Sequence, residues 1–340
     1  MNFTQGATAL LTLEVLDNVS FLGELEAEWS SFLRTIRGIT PFQLPQWLLT
    51  WWAHFGNGQL HVLVFREKDV MVGIVPCFRH QWNGLRQITL IGSGISDYLE
   101  PAIQPQHGPA ILDRLRTHLE ANLDWDVCDW QDLSANTSLI GLKSNGKFEL
   151  AASADISCSE IRLAGTFDEF RNARPKDLKR NLRRYRNKAE AIGSLQFEVM
   201  KEAHPESMQA LVELHTAKWQ RRGEPGMIQA NGSAEFLRDV ARDFASRDML
   251  RFFSLHFQSK IVALIVAFSY EKTMFGYLSA FDPEYEALGF GRTLLFEALR
   301  YCYENGYAAW NFLRGEEPYK FWWGARIIPK CRVQLVRTNG

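Results

Sequence analysis

A short glycine-containing loop carries the sharpest chemical signal in this sequence. An apolar segment ends at Phe281, and Gly289-Phe290-Gly291 then opens a segment with helical periodicity. Glycines let a ligand approach the backbone closely, and the first N–H groups of a helix carry the positive end of its dipole. Such a turn suits a pyrophosphate. Because the lysine of a P-loop and the third glycine of a dinucleotide fingerprint are absent, a plain strand-to-helix turn stays open as the alternative.

The elements around this loop predict a mixed α/β fold. Helical patterns cover residues 167–191 and 206–221, and three antiparallel strands follow between residues 250 and 281. A helix over 293–304, a strand over 308–313 and closing strands from 326 to 336 complete the order. This succession favours a mostly antiparallel sheet over a doubly wound parallel one.

Two tandem domains are indicated by a weak repeat and by charge. Residues 60–78 and 250–268 both read as a hairpin preceded by a helix, at an offset of 190 residues. Residues 1–155 hold 10 Lys and Arg against 17 Asp and Glu, whereas residues 156–340 hold 28 against 22. Such a split argues for two units, 1–155 and 156–340, with the polar stretch 150–160 as the seam.

The loop and the order of elements resemble the GNAT acyltransferases, which bind the pyrophosphate of acyl-CoA at this turn. Their usual motif is Gln/Arg-x-x-Gly-x-Gly/Ala, and this chain carries an acid, Glu286, at the first position. The resemblance implies acetyl-CoA or another acyl-CoA as co-substrate. Its implied binding residues are Ser279, Ala280, Phe281, Gly289, Phe290, Gly291, Arg292 and Thr293.

A closer resemblance covers nearly the whole chain. The segments Asp177-Leu-Lys-Arg-Asn-Leu-Arg-Arg, Leu214-His215-x-x-x-Trp219 and Gly315-Glu-Glu-Pro-Tyr-Lys320 look like landmarks of the CelD-like family. In the first half, Pro41-Phe-x-x-Pro-x-Trp47, Gly73-Ile-Val-Pro76 and Asp97-Tyr98 fit the same pattern. The resemblance implies bacterial, cytoplasmic GNAT-related proteins of cellulose or exopolysaccharide biosynthesis, similar to the tandem-GNAT FemAB aminoacyl ligases.

The GNAT resemblance also implies a mechanism. An amine attacks the thioester directly, a backbone amide of the strand over 278–281 polarises the carbonyl, and a hydroxyl protonates the thiolate. Tyr319 stands where many GNAT enzymes place that hydroxyl, the alternative being an ordinary interface tyrosine. Glu316 and Glu317 are candidates for deprotonating the amine. Capping of a helix start is the alternative reading for both carboxylates.

Five further residues are candidates for contacting the acceptor, which we expect to be a small amine or amino sugar. His215 and Trp219 are four residues apart and so lie on one helix face, with a buried core pair as the alternative. Arg222 could attract an acidic substrate, and Lys320 belongs to the third motif. Asp97 follows Gly92-Ser-Gly94, where a flexible loop is the alternative to a sugar or phosphate site.

A basic helix is predicted between the domain seam and His215. Nine Lys and Arg and a single acid, Asp177, lie between Arg171 and Lys188. Leu178, Leu182, Tyr185 and Ala189 form an apolar stripe at helical spacing. The bases either form a solvated face or bind a phosphate-rich partner such as a CoA 3′-phosphate, a nucleotide sugar, a lipid phosphate or tRNA.

Composition excludes several classes of protein. With 46% hydrophobic residues and a net charge of −1 the chain is globular rather than disordered. We expect no transmembrane span, no secretory signal and no metal site, because no long apolar run and no metal-ligand spacing occurs. The five scattered cysteines fit buried thiols in a cytoplasm. Most of the 11 Trp and 23 Phe are expected to fill two cores and their interface, and Trp219, Trp322 and Trp323 remain candidates for touching substrate.

Three functions remain on these grounds. The first is an acyl-CoA-dependent N-acyltransferase that acts on an amine or amino sugar. The second is a FemAB-like ligase that uses aminoacyl-tRNA, the one case in which we expect a nucleic-acid partner. The third is a non-catalytic GNAT-like binding module of a polysaccharide-synthesis machine, which the acid at position 286 favours.

Overall fold

The computed structural model describes residues 11–122, 124–221, 223–224, 226–229 and 232–338. They form two compact units. Unit 1 comprises residues 1–156 and 329–340, and unit 2 comprises residues 157–328. The sequence places residues 329–340 in the second domain, whereas the structure groups them with unit 1. The reason is hydrogen bonding, because the C-terminal strand pairs with a strand of unit 1 from Lys330 to Val336.

The described residues of unit 1 form three α-helices and contribute strands to two sheets. Its helices are α1 (Val19–Leu33), α2 (Pro45–Phe55) and α3 (Gly108–Ala121). Its strands are β1 (Leu11–Leu16), β2 (Gln59–Leu60), β3 (Val62–Glu67), β4 (Val70–Val75), β5 (Cys77–Trp82), β6 (Leu85–Leu90), β7 (Ala102–Ile103) and β8 (Val127–Ser134). One sheet has the order β1-β3-β4-β7. In the other, β2, β5 and β6 are antiparallel neighbours and β6 runs parallel to β8.

Two strands each contribute residues to both units, β9 (Phe148–Arg162) and β15 (Arg326–Arg337). The helices of unit 2 are α4 (Phe167–Asn172), α5 (Lys176–Glu190), α6 (Pro205–Gln220), α7 (Ser233–Ser246), α8 (Phe290–Glu304) and α9 (Pro318–Trp322). Its other strands are β10 (Leu195–Met200), β11 (Leu250–Phe257), β12 (Lys260–Tyr270), β13 (Thr273–Phe281) and β14 (Ala309–Arg314). The sheet order is β10-β11-β12-β13-β14-β9.

The two hairpins of the sequence repeat share their turn and their irregularity. Lys68 and Asp69 in one, and Gln258 and Ser259 in the other, all have positive φ, the signature of a two-residue type I′ turn. The register shifts at Phe65/Arg66 and again at Leu255/His256, at the same offset of 190 residues. A shared turn type and a shared bulge support a repeated α/β unit.

Strands β13 and β14 of unit 2 separate shortly after they meet. They run parallel and pair only from Thr273 to Phe275 with Ala309 to Asn311. The antiparallel partner β12 shifts register opposite Gly276 and Leu278, so β13 carries a bulge just where the separation begins. The result is a wedge between two strands, open toward the Phe281 end of β13.

Helix α8 packs on one face of this sheet and α7 on the other. Leu294, Ala298 and Leu299 of α8 belong to a buried cluster with Ile265 and Trp310 of the strands. On the opposite face, the rings of Phe244 in α7 and Phe268 in β12 meet edge to face, 5.0 Å between centroids. Alternation along β12 explains the division, because neighbouring side chains of a strand point to opposite faces.

Two local expectations differ from the structure. The polar stretch 150–160 lies inside β9 rather than in a linker, because exposure on both faces removes the apolar alternation that marks a strand. The helical pattern over 167–191 is divided into α4 and α5 at Pro175. Proline disfavours helical geometry in the residue before it, so the first helix ends there.

Candidate functional site

A cavity of about 490 Å³ occupies unit 2 at the separation of β13 and β14. It brings together most of the residues expected to bind an acyl-CoA and the candidate acid. Those lining it are Ser279, Ala280, Phe281, Gly289, Phe290, Gly291, Arg292 and Tyr319. Thr293 is buried in the first turn of α8, where its hydroxyl donates to the Gly289 carbonyl at 3.3 Å. The cavity is large enough for a small-molecule ligand.

Gly289 shapes the mouth of the cavity. Its φ of 61° is left-handed, and an added Cβ would lie 2.5 Å from the ring of Tyr185. Glycine therefore serves both the turn and the close approach of α5. Helix α8 begins at the next residue, so its first N–H groups have no intrahelical acceptor and face an incoming anion.

Arg292 is the positive side chain of this mouth. Its guanidinium donates to the Tyr185 hydroxyl at 2.9 Å and lies 5.3 Å from the centre of the Trp322 ring. Tyr185 also lines the cavity. Two aromatic rings thus hold a cation beside the helix N-terminus, an arrangement that favours a phosphate group.

Two more cations lie along the loop that leads to Gly289. Lys218 of α6 lines the cavity and donates to the Ser279 carbonyl at 3.2 Å. Arg221 donates to the Pro283 carbonyl at 2.6 Å and lies 3.5 Å from the Glu286 carboxylate. The acid at the first motif position is therefore opposed by a neighbouring arginine, which reduces its repulsion of an anionic ligand.

Tyr319 projects from α9 into the cavity. Its ring meets Phe312 of β14 edge to face, 6.1 Å between centroids. Removal from water, with a smaller contribution from the Glu317 carboxylate, raises the pKa of Tyr319 well above its ordinary value of 10. The hydroxyl consequently stays protonated at neutral pH, as a proton donor requires.

The floor of the cavity is apolar and buried. Ile265, Leu295, Trp310 and Trp323 line it, together with Gly276 of β13. An added Cβ at Gly276 would lie 2.8 Å from Cζ2 of Trp310, so the absent side chain leaves room against that ring. The Trp310 indole N–H is buried and has no hydrogen-bond partner among the described residues.

Lys320 has a different role from the substrate contact expected of it. Its ammonium group is buried and donates to the carbonyls of Arg314 at 2.7 Å and Gly315 at 3.0 Å. It also lies 2.8 Å from the Glu317 carboxylate. The Lys320 side chain therefore links α9 to the end of β14 through hydrogen bonds. Glu316 is exposed, and neither glutamate is among the residues that line the cavity.

His215 and Trp219 form a pair on α6 outside the cavity lining. The indole N–H donates to Nε2 of His215 at 2.9 Å, and Gly226 packs against both rings. The second ring nitrogen of His215 is buried and without a partner in the described part of the chain. Burial, and secondarily the Lys218 ammonium group, lowers the pKa of His215 to about 4. Arg222 lies outside the described residues.

The buried imidazole predicts a loss of stability in mild acid. The pKa of His215 is about 4 in the folded protein and 6.5 in the unfolded chain, so the unfolded chain binds more protons between these values. Stability conferred by neutral His215 is therefore lost as pH falls through this window, by about 2 kcal/mol at pH 5.

Urea unfolding at pH 7 and pH 5 measures this loss. His215→Gln keeps an acceptor for the Trp219 indole but does not titrate, so its free energy of unfolding should fall less with acidification than that of the wild type. Other groups contribute equally to both proteins. Identical pH dependence of the two would contradict the assignment.

Asp97 belongs to unit 1, in the loop that takes the place of the 282–289 loop. Ser96 ties this loop to the core, because its hydroxyl accepts from the Trp47 indole at 2.8 Å and donates to the Gly92 carbonyl. The Leu99 amide donates to the Asp132 carbonyl of β8. A cavity beside this loop measures only about 10 Å³. The space beside this loop is therefore far smaller than the cavity of unit 2.

The bases of α5 are divided between ion pairs and solvent. Arg180 pairs with Asp177 and Arg186 with Glu190, all of them exposed. The apolar stripe faces inward, with Leu178 and Ala189 buried. Since Tyr185 of this helix packs on Gly289, the exposed bases lie on the helix that borders the cavity mouth. Sequence reasoning did not connect Tyr185, Lys218, Gly276 or Trp310 with the site, because no motif marks them.

Comparison with known proteins identifies the fold. Residues 176–321 match the family described as "Acetyltransferase (GNAT) domain". The fold is the GNAT fold. Among solved structures, FemX gives a TM-score of 0.63 at 10% identity, over 90% of this chain and 95% of that one. L-PGS from Bacillus licheniformis gives 0.56 at 13% identity, over 92% and 91%.

A tandem GNAT protein from the clavulanic acid biosynthesis pathway gives a TM-score of 0.51 at 10% identity, over 97% of this chain and 99% of that one. At these identities the likeness concerns the fold alone. The expectation of a mixed α/β, mostly antiparallel, tandem GNAT-like architecture is therefore confirmed, whereas no comparison reaches the CelD-like family. No curated protein sequence matches this chain.

Three negative observations concern the described residues. No group of three or more His, Cys, Asp or Glu side chains among them could hold a metal ion. Within the same ranges, no helix is long and apolar enough to cross a membrane. All five cysteines are buried thiols, as the sequence predicts.

Proposed function

We propose that unit 2 is an acyl-CoA-dependent N-acyltransferase. One observation carries this proposal: a single cavity joins the N-terminus of α8 and Arg292, which suit a pyrophosphate, to the protonated hydroxyl of Tyr319. The GNAT domain match over residues 176–321 supports the reaction class. The acceptor we propose is the amine of a sugar or other small precursor, in the cell-envelope polysaccharide context that the CelD-like motifs imply.

The proposed reaction is a direct transfer. The neutral amine forms a C–N bond with the thioester carbonyl as the C–S bond breaks. The thiolate takes the proton of Tyr319, the attacking nitrogen releases a proton to water, and the tyrosinate then regains a proton from water. Backbone amides of β13 beyond Phe275 are free of β14 and supply hydrogen bonds for the carbonyl oxygen. Glu316 and Glu317 do not line the cavity, and Glu317 is paired with Lys320. We therefore propose that they accept the proton of the amine only through water.

Binding of CoA and acyl-CoA tests the proposal. A ligand that binds only the folded protein raises its melting temperature, so millimolar acetyl-CoA or CoA should produce a shift. Arg292→Glu should weaken binding at least about tenfold, because one charge-assisted contact is lost and repulsion is added. The matched control is Arg242→Glu, which makes the same change in charge on α7, the helix that packs on the opposite face of the sheet from α8. Absence of any shift with wild-type protein would refute the proposal.

A second candidate donor is aminoacyl-tRNA. The observation that favours it is the row of exposed bases on α5, bordering the cavity mouth through Tyr185. The same thermal-shift panel includes tRNA. Salt-dependent stabilisation by tRNA without any response to CoA would select this donor instead.

A further inference from the structure

The cavity of unit 2 extends beyond the place where the thioester must react. The carbonyl is proposed to meet the β13 backbone between Leu278 and Phe281. Gly276 also lines the cavity and lies two residues before Leu278, toward the pairing of β13 with β14 and at most about 7 Å away at the usual rise of a strand. The methyl group of an acetyl thioester ends one carbon–carbon bond, about 1.5 Å, from its carbonyl. An acetyl group would therefore leave this extension unfilled.

The walls of this extension are apolar. Ile265 and Leu295 are 5% and 6% exposed, and Trp310 and Trp323 are 1% exposed each. The charged residues that line the cavity, Lys218, Glu286 and Arg292, lie on α6, on the loop before α8 and on α8, and none of them belongs to β12, β13 or β14. Apolar cavities of this kind are dry and accept apolar ligands. A hydrocarbon chain gains free energy from burial against such walls.

Gly276 makes room for the Trp310 ring, which forms one wall of the extension. The residue has an ordinary extended position in β13, without a positive φ that would demand glycine. The absent side chain is accounted for by space, since a Cβ would reach within 2.8 Å of the Trp310 ring. Glycine in the interior of a strand weakens the strand, so its presence fits a site where another group approaches closely.

We propose that the donor carries an acyl chain of medium length, about eight carbons, which lies in the buried extension lined by Ile265, Gly276, Leu295, Trp310 and Trp323. The inference rests on the proposed function and specifies its acyl group. The bonds made and broken are those of the transfer described above. Each buried methylene contributes about 0.8 kcal/mol, so burial of about three of the six additional methylenes makes octanoyl-CoA bind about 50-fold tighter than acetyl-CoA.

Isothermal titration of the full chain with CoA, acetyl-CoA and octanoyl-CoA tests this. The wild type should show the 50-fold preference. Gly276→Ala should reduce the ratio of the two affinities about tenfold, because the new methyl group collides with the Trp310 ring and pushes it into the extension. Leu295→Phe fills the same space from α8 and serves if the first variant does not fold. Gly23→Ala, whose Cβ would meet nothing within 4 Å, is the matched control.

The outcomes separate the two proposals. Equal affinity for acetyl-CoA and octanoyl-CoA, with CoA itself bound, overturns the acyl-chain inference and leaves the proposed function standing. A preference that Gly276→Ala and Leu295→Phe do not reduce also overturns it. Failure of CoA and both thioesters to bind the wild type refutes the proposed function itself.

Discussion

Tyr319→Phe is expected to lower kcat about 100-fold or more while leaving the affinity for acyl-CoA within about twofold. A positioned general acid contributes about 10²- to 10⁴-fold, and phenylalanine keeps the ring that packs on Phe312. The raised pKa keeps the hydroxyl protonated through pH 9 and above, so the wild-type kcat should not fall between pH 7 and pH 9. The measurement is kcat and KM of both proteins across that range.

Tyr303→Phe is the matched control for this experiment. Tyr303 lies on α8, its pKa is also raised by burial, and it does not line the cavity. Its removal should leave kcat within about twofold of the wild type. Full activity of Tyr319→Phe would show that another group, or water, protonates the thiolate, and would remove the catalytic assignment.

Lys320→Met is expected to destabilise unit 2 by about 3 kcal/mol, because buried carbonyl oxygens lose their donor. Leu313 of β14 has a left-handed φ of 62°, and the strand shifts register beside it. This bulge presents successive carbonyls to one ammonium group. Methionine keeps most of the volume of the side chain but donates no hydrogen bond, so the bulge and the start of α9 should both loosen.

Urea unfolding measures this loss, with Lys201→Met as the control. The side chains of the Lys201–Asp248 ion pair are both exposed, and such pairs contribute about 1 kcal/mol or less. A change below about 1 kcal/mol for Lys320→Met would contradict a structural role. In that case the side-chain volume that methionine keeps is enough to hold α9 in place. A contact with a ligand would then explain the lysine at position 320 better than a structural role.

The open cavity of unit 2 and the filled counterpart in unit 1 differ through a single loop. Both units carry the hairpin with the same turn and the same bulge. In unit 1 the loop after β6 hydrogen-bonds to β8 through Leu99 and leaves room for no more than about one water. In unit 2 the shorter loop ends at Gly289 and leaves the wedge open. The open wedge is the reason why the donor site is proposed in unit 2.

Much of the fold follows from local sequence. The two-residue turns, the helix that begins after Gly289 and the apolar stripe of α5 depend on residues close in the chain, and each lies where its pattern predicts. The repeat predicted a duplicated α/β unit, and the GNAT-like architecture was implied by the resemblance of the glycine loop and the order of elements to GNAT acyltransferases. Strand β9 was missed because its exposed faces show no alternation.

The roles of the site residues depended on contacts between distant segments. Tyr185 and Arg292, which meet at the cavity mouth, are 107 residues apart, and no spacing rule connects them. Sequence proposed His215 and Lys320 as substrate contacts, but burial directs one toward Trp219 and the other toward the carbonyls of β14. The sequence by itself determined turns, helix starts and the repeat, since hydrogen bonds and φ values within a few residues specify them. Only the tertiary structure decided which side chains face the cavity, because packing between distant elements determines which polar groups are already satisfied and which remain for a ligand.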